Sequence, residues 1–197
     1  MRIACLTLVL FCAIGSSVTM AITPADMTSW KIVCNPAATE SEGYAASEFQ
    51  ALFKGMTGTE LPIVAEAQVG AGAVYIGPDA VAQAGRESGW EELGEEGLQI
   101  HIAEKAVYID GGHPRGTLYG VYEFFEELCG ARYLTHDDTY YPDNAMATQI
   151  PVGTHRYNPP FAFRWSYYGE TVTNPAFAAR LHTNTVSDDP KLGGRTG

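Results

Sequence analysis

At 197 residues the chain can hold one medium domain with a sizeable core, or one domain and part of a second. With 46% hydrophobic and 18% charged residues it belongs among globular rather than disordered sequences. The formal net charge of −11 argues against nucleic acid or an anionic membrane as partner, because both repel an acidic surface.

Residues 1–21 read as a secretory signal peptide. Arg2 is the lone charge before an apolar stretch at residues 3–14, and Thr19 and Ala21 are small residues placed ahead of a cleavage site. The apolar stretch is too short for a comfortable membrane span. Phe11 stands where a lipoprotein site at Cys12 needs a small residue. A secreted or periplasmic location follows, with no membrane association after cleavage. Cys34 and Cys129 then remain. They are either a disulfide made in an oxidising compartment or two buried thiols, and the sequence leaves both open.

The first predicted strand is residues 30–33. Thr39-Glu40-Ser41-Glu42 has the form of a capping box and opens a helix. Ala45, Phe49, Leu52, Phe53 and Met56 make its buried face, and Gly58 ends it. Strands follow at 61–64 and 73–76, a short helix at 79–86, and an exposed acidic connector at 91–96. Residues 97–134 are the most structured part of the pattern. Leu98, Ile100 and Ile102 alternate with Gln99 and His101, and Val107 and Ile109 repeat the alternation after a turn. Leu118, Val121, Tyr122, Phe125 and Leu128 then form one helical stripe, stopped by Gly130. This order predicts an α/β fold: a mixed β-sheet covered on one face by two main helices, each with one apolar and one polar side.

The strand pair beginning Glu96-Gly97, with the turn Gly111-Gly112-x-x-Arg115-Gly116-x-x-Tyr119-Gly120, resembles the N-terminal domain of secreted glycoside hydrolases. The likeness covers residues 30–164 and is to the alpha-glucuronidase N-terminal domain. It extends to the similar non-catalytic domain that precedes the barrel of the beta-hexosaminidases. The resemblance implies that residues 22–150 are this accessory domain, residues 151–160 a proline-rich linker, and residues 161–197 the first strand and helix of a (β/α)8 barrel. A whole barrel needs about 250 residues, so a truncated barrel is expected. Its aromatic strand at 161–168 and helix at 174–181 would be poorly ordered, having nothing to close against. The partner implied is carbohydrate, reached through the missing barrel.

Gly111 and Gly116 have phosphate-loop spacing, but Thr117 stands where that loop needs lysine and Pro114 removes a donor. The glycines are better read as shaping a sharp turn, with Gly116 and Gly120 letting the helix lie close to its neighbours. Arg115 either reaches a ligand or pairs with an acid such as Asp110, and the resemblance favours a structural or interdomain role. His136, Asp137 and Asp138 are the densest group of metal-ligand types, yet adjacent carboxylates seldom converge on one ion, so a solvated loop is expected and neither metal nor cofactor.

Glycoside hydrolysis normally needs two facing carboxyl groups. Glu95, Glu96, Asp110, Glu123, Glu126 and Glu127 are present, and nothing marks two of them as a pair. In the resembling enzymes the acid and base lie on later barrel strands, which implies no catalytic residue in this chain. The same likeness makes Arg164, with Trp165 beside it, the candidate sugar contact, although hexosaminidases usually have glycine where Trp165 stands. Trp165, Tyr167 and Tyr168 suit stacking on a sugar ring or ordinary packing. The alternative reading is a free-standing carbohydrate-binding module using Trp90, Tyr108 and Tyr119.

Overall fold

A computed structural model describes residues 20–68 and 70–195. The predicted signal peptide, apart from Met20 and Ala21, lies outside the described residues. In chain order the elements are β1 (Ala21–Ile22), β2 (Lys31–Cys34), α1 (Glu40–Thr57), β3 (Ile63–Val64), β4 (Ala73–Ile76) and α2 (Pro78–Gln83). Then come β5 (Leu98–Ala103), β6 (Ala106–Gly111), α3 (Gly116–Glu123), β7 (Arg132–Tyr133) and β8 (Thr139–Tyr140). The last are β9 (Ile150–Pro151), β10 (Gly153–Tyr157), α4 (Gly169–Thr173) and α5 (Pro175–Arg180).

Six strands form one mixed sheet in the order β10-β5-β6-β4-β2-β3. The run β6-β4-β2-β3 is parallel, while β5 is antiparallel to both β6 and β10. Helices α1 and α3 cover one face. The capping box holds as predicted: Glu42 N–H donates to the Thr39 side chain, and Thr39 N–H donates to the Glu42 carboxylate. At the other end Gly58 adopts the left-handed conformation that closes α1. Phe49 of α1 meets Phe124 and Phe125 at ring-centroid distances of 5.3 and 5.0 Å, all three fully buried. Each such ring contributes about 1.5–3 kcal/mol.

The alternating pattern of the hairpin is also as read, with Leu98, Ile100, Ile102, Val107 and Ile109 buried. On the opposite face of the sheet the short helix α2 packs Ala80 against Val33 and Ala73. The sheet is therefore not covered on one side only.

Three expectations are corrected. Residues 151–160 are not a linker: Gly153–Tyr157 is the edge strand beside β5, and Ile150–Pro151 pairs with Ala21–Ile22. The prolines misled because they flank the strand, and proline is tolerated at the ends of edge strands. Helix α3 has no polar side, since Gly116 to Tyr122 are all buried. Its final turn widens into a π-turn over Phe124–Leu128, which buries both phenylalanines and leaves Leu128 only half-buried. The third correction concerns residues 91–96. Residues Trp90–Leu93 form a 3-10 turn, and Glu96 is buried rather than exposed. Cys34 and Cys129 are free thiols.

The glycine-rich turn packs against the backbone ahead of β5. A Cβ on Gly112 would lie 1.4 Å from the Gly94 carbonyl oxygen, and one on Gly116 would lie 2.3 Å from that of Gly97. Gly111 meets Gly116 equally closely, and Gly120 sits on the Ile109 side chain. The space a phosphate would fill holds protein backbone instead. Gly112→Ala is therefore expected to lower stability by about 1–3 kcal/mol through overpacking. Gly43→Ala, in open space within α1, should raise it by up to about 1 kcal/mol. Urea unfolding of the two variants measures both signs.

Candidate functional site

The residue just before β5 is the centre of the site. Glu96 precedes Gly97 at the foot of the hairpin, and its carboxylate is withdrawn from water. Arg115, at the start of α3, donates from Nε to Glu96 Oε1 at 2.6 Å. Asn184 donates from Nδ2 to the same oxygen at 2.7 Å, and Arg164 pairs with Oε2 at 2.6 Å. Burial alone would raise the carboxyl pKa, but the hydrogen bonds from Arg164, Asn184 and Arg115 outweigh it and hold the group below its ordinary value.

Arg115 is itself buried and spends its remaining donors locally. One reaches Glu95 at 3.0 Å and another the Gly193 carbonyl at 3.0 Å. It pairs with these acids and not with Asp110. Gly193 is left-handed, and a Cβ there would lie 2.1 Å from Arg115 Cγ. The turn residues named from the sequence are thus structural, and Arg115 ties the turn to the far end of the chain.

Tyr119, one turn into α3, is fully buried. Its ring stacks on His182 at 4.5 Å, with the Arg164 guanidinium 5.8 Å from the ring centroid. Burial, with Glu96 nearby, pushes its phenol up to about 12. Burial and then Arg164 push His182 down to about 4, so this imidazole is neutral at physiological pH. A second ion pair lies across α1. Arg180 of α5 makes a two-pronged contact with buried Glu48, at 3.0 and 3.2 Å.

These contacts decide where residues 158–195 go. Phe177, Ala179 and Leu192 join the main core, so the segment docks as a further layer over α1 and α3. Residues 161–181, expected to be poorly ordered, contribute Phe177 and Ala179 to this core. Residues 161–168 do not form a strand: among the described residues nothing after β10 is in a sheet. Within this irregular segment Arg164 and Ser166 are partly buried between exposed aromatic residues. Phe161, Phe163, Trp165 and Tyr167 are 71, 57, 58 and 85% exposed, while Arg164 between them turns inward. Tyr168 is 62% exposed at the end of the row.

Arg164 donates to the His182 and Phe161 carbonyls as well as to Glu96. Arg164, named from the sequence as a sugar contact, is an internal anchor in this structure, with its Nη2 buried and without a hydrogen-bond partner among the described residues. Trp165 remains at the surface, edge-on to Phe163 and 4.3 Å from Tyr167.

Other candidates separate. Trp90, Tyr108 and Tyr119 do not form a row: Tyr119 is in the core, Tyr108 stacks on Tyr75 at 5.0 Å, and Trp90 stacks on His113 at 4.4 Å. His136 is held by Glu170 at 2.9 Å, and Asp137 accepts from Thr135. Among the described residues no group of three or more metal-ligand side chains converges. Asp110 is buried beside Ser88, whose hydroxyl donates to it. Burial raises this carboxyl to about 6, against the lowering pull of Ser88, Arg86 and Arg156. Sequence reasoning missed Glu48, Asn184 and His182 altogether, since their partners are remote along the chain.

Residues 24–124 match the family model described as the glycosyl hydrolase family 67 N-terminus. No curated protein matches the chain in sequence. Among solved structures, it is similar to a family GH115 4-O-methyl-alpha-glucuronidase with specificity for decorated arabinogalactans, with a TM-score of 0.52 at 13% identity, over 79% of this chain and 24% of that one. It is also similar to the GH20 beta-N-acetylhexosaminidase from Streptomyces coelicolor A3(2), with a TM-score of 0.49 at 16% identity, over 85% of this chain and 31% of that one. The beta-hexosaminidase of Streptomyces plicatus gives a TM-score of 0.48 at 17% identity, over 85% and 30%. The chain spans about a quarter to a third of the length of these proteins.

The two buried carboxyls carry opposite pH signatures. Glu96 has a lowered folded pKa, so its stabilisation is present above the ordinary carboxylate range and is lost as pH falls through the lowered value. Glu96→Gln should cost about 3–5 kcal/mol at neutral pH, because buried Arg115 loses one of its two acids and partly buried Arg164 loses its counter-charge. Asp110 keeps its proton up to about pH 6 when folded, so its contribution improves as pH falls from about 6 to about 4. Asp110→Asn should therefore gain about 1–3 kcal/mol at pH 7, fading towards pH 4. Denaturant unfolding across this pH range checks both.

Proposed function

The chain belongs to the glycosyl hydrolase family 67 N-terminus family, and from that premise we propose that it is the exported, non-catalytic support domain of a carbohydrate-active glycoside hydrolase. One observation carries the reading. A row of exposed aromatic side chains, Phe161 to Tyr168, is fixed to the domain through Arg164 and Glu96. Contiguous exposed apolar surface marks an interaction site. A catalytic barrel is the partner this family reading supplies.

On this reading the unpaired segment at residues 161–168 is the entry to the barrel. The domain then acts by support. Glu96 and Glu48 hold the entry segment in place, and carbohydrate is cleaved by the catalytic part and not by this one. Export through the predicted signal peptide places the protein in the periplasm or outside the cell. The acidic surface supports no nucleic-acid partner. The free-standing module reading is weaker, because its three aromatic residues do not share a surface.

Two measurements test the proposal. The chain by itself is expected to leave chromogenic alpha-glucuronides and N-acetyl-beta-glucosaminides intact, and turnover above buffer would overturn the non-catalytic assignment. An unfilled apolar docking face should also make the chain self-associate in light scattering. The triple variant Phe163→Ser, Trp165→Ser, Tyr167→Ser should be monomeric with an unchanged melting temperature. Equal association by both proteins would remove the docking role.

A further inference from the structure

Of the three aromatic residues expected to form a binding row, Trp90 and Tyr108 each line a pocket, and the pocket at Trp90 carries more charged side chains. That pocket has a volume of about 550 Å³ and is bounded by Asp79, Arg86, Glu87, Ser88, Trp90 and Glu91. It opens beside the carboxyl end of β4, where the chain passes into α2 on one face of the sheet while α1 leaves β2 on the other. The volume is in the usual range for small-molecule sites.

The walls are held before any ligand arrives. Trp90 stacks on His113, and His113 Nε2 lies 2.9 Å from Glu42 Oε1. The other Glu42 oxygen closes the capping box of α1. The indole is thus tied, through one imidazole, to the start of the longest helix. Ser88 is fixed on the opposite side: its hydroxyl donates to Asp110 and its carbonyl accepts from Gln99 at 3.3 Å. Between them the Arg86 guanidinium lies 5.4 Å from the Tyr108 ring centroid. Its Nε is buried, with no hydrogen-bond partner among the described residues. The guanidinium also acts electrostatically on Asp110 and His101, so the pocket wall at Arg86 is held by the sheet behind it.

We propose that this pocket binds a neutral saccharide, with the sugar ring against Trp90 and its hydroxyls between Arg86 and the carboxylates of Asp79, Glu87 and Glu91. A flat indole takes the apolar face of a pyranose. A guanidinium supplies donors, and three carboxylates supply acceptors, which matches a ring whose hydroxyls do both. The same three carboxylates repel a uronate or a phosphate. A sugar site here would let the support domain hold substrate near the catalytic part. The choice of saccharide over other hydroxylated ligands rests on the family reading; the pocket and its fixed walls do not.

The test is a nitrogen-15 NMR titration of the whole chain, following the tryptophan indole N–H signals with D-glucose, N-acetyl-D-glucosamine, D-glucuronate and D-glucosamine. The neutral sugars are expected to shift the Trp90 signal, with glucuronate at least about tenfold weaker. Trp90→Ala should abolish the response and Trp90→Phe retain it, and Arg86→Gln should weaken it about tenfold with an unchanged melting temperature. No shift at Trp90 with either neutral sugar overturns the proposal, as does a response confined to Trp165. Glucosamine binding tenfold tighter than glucose would assign a cation site instead. Because the isolated chain is titrated, these outcomes do not depend on whether the aromatic row docks a barrel.

Discussion

A carboxylate taken out of water must be matched by donors, and Glu96 is that carboxylate. Its three partners come from the start of α3, the aromatic segment and the loop after α5. No two of them are neighbours in sequence. Satisfying one buried charge therefore brings three parts of the chain to the foot of the β5–β6 hairpin. The position of Glu96 is set in turn by the glycine turn, whose backbone presses on Gly94 and Gly97. The close glycine contacts and the ion cluster are one construction: the first makes room for the second.

The Glu48–Arg180 pair fixes the docked segment at a second point, between the two residues that reach Glu96. Buried ion pairs add little net stability over well-packed apolar residues, but losing one partner is expensive. Their use here is positional. Residues 158–195 contain two short helices and a 3-10 turn, too little regular structure to define their own placement. Two charge contacts, with Phe177 and Leu192 seated in the core, fix the segment at points a simple apolar contact would let slide.

Local features were legible in the sequence, and long-range ones were not. The Thr39–Glu42 capping box, the left-handed stop at Gly58 and the period-two hairpin each depend on residues a few positions apart, and each is as read. The family was legible too, through the glycine–arginine–tyrosine turn. The pairings of Glu96 with Arg164 and Asn184, and of Glu48 with Arg180, span between 68 and 132 positions in sequence and leave no local mark. Strand β10 was hidden because its flanking prolines signal a connector, while its pairing partner lies in the hairpin. Helix α3 looked like a surface helix because its glycines and tyrosines carry weak polarity. Tyr119 is buried only because His182 and Arg164 arrive from the docked segment.

The alternation at residues 163–167 links this construction to the proposed role. An extended chain points successive side chains to opposite sides, so with Arg164 turned inward the residues on either side of it turn out. Phe163 and Trp165, the neighbours of Arg164, are exposed for that reason, with Phe161 and Tyr167 exposed beyond them. A slip of one residue would send aromatic rings towards Glu96 and Arg164 into solvent, which the buried carboxylate forbids. Glu96 thus does more than hold the segment down. It selects which face of the segment the domain presents, and that face is apolar along its length.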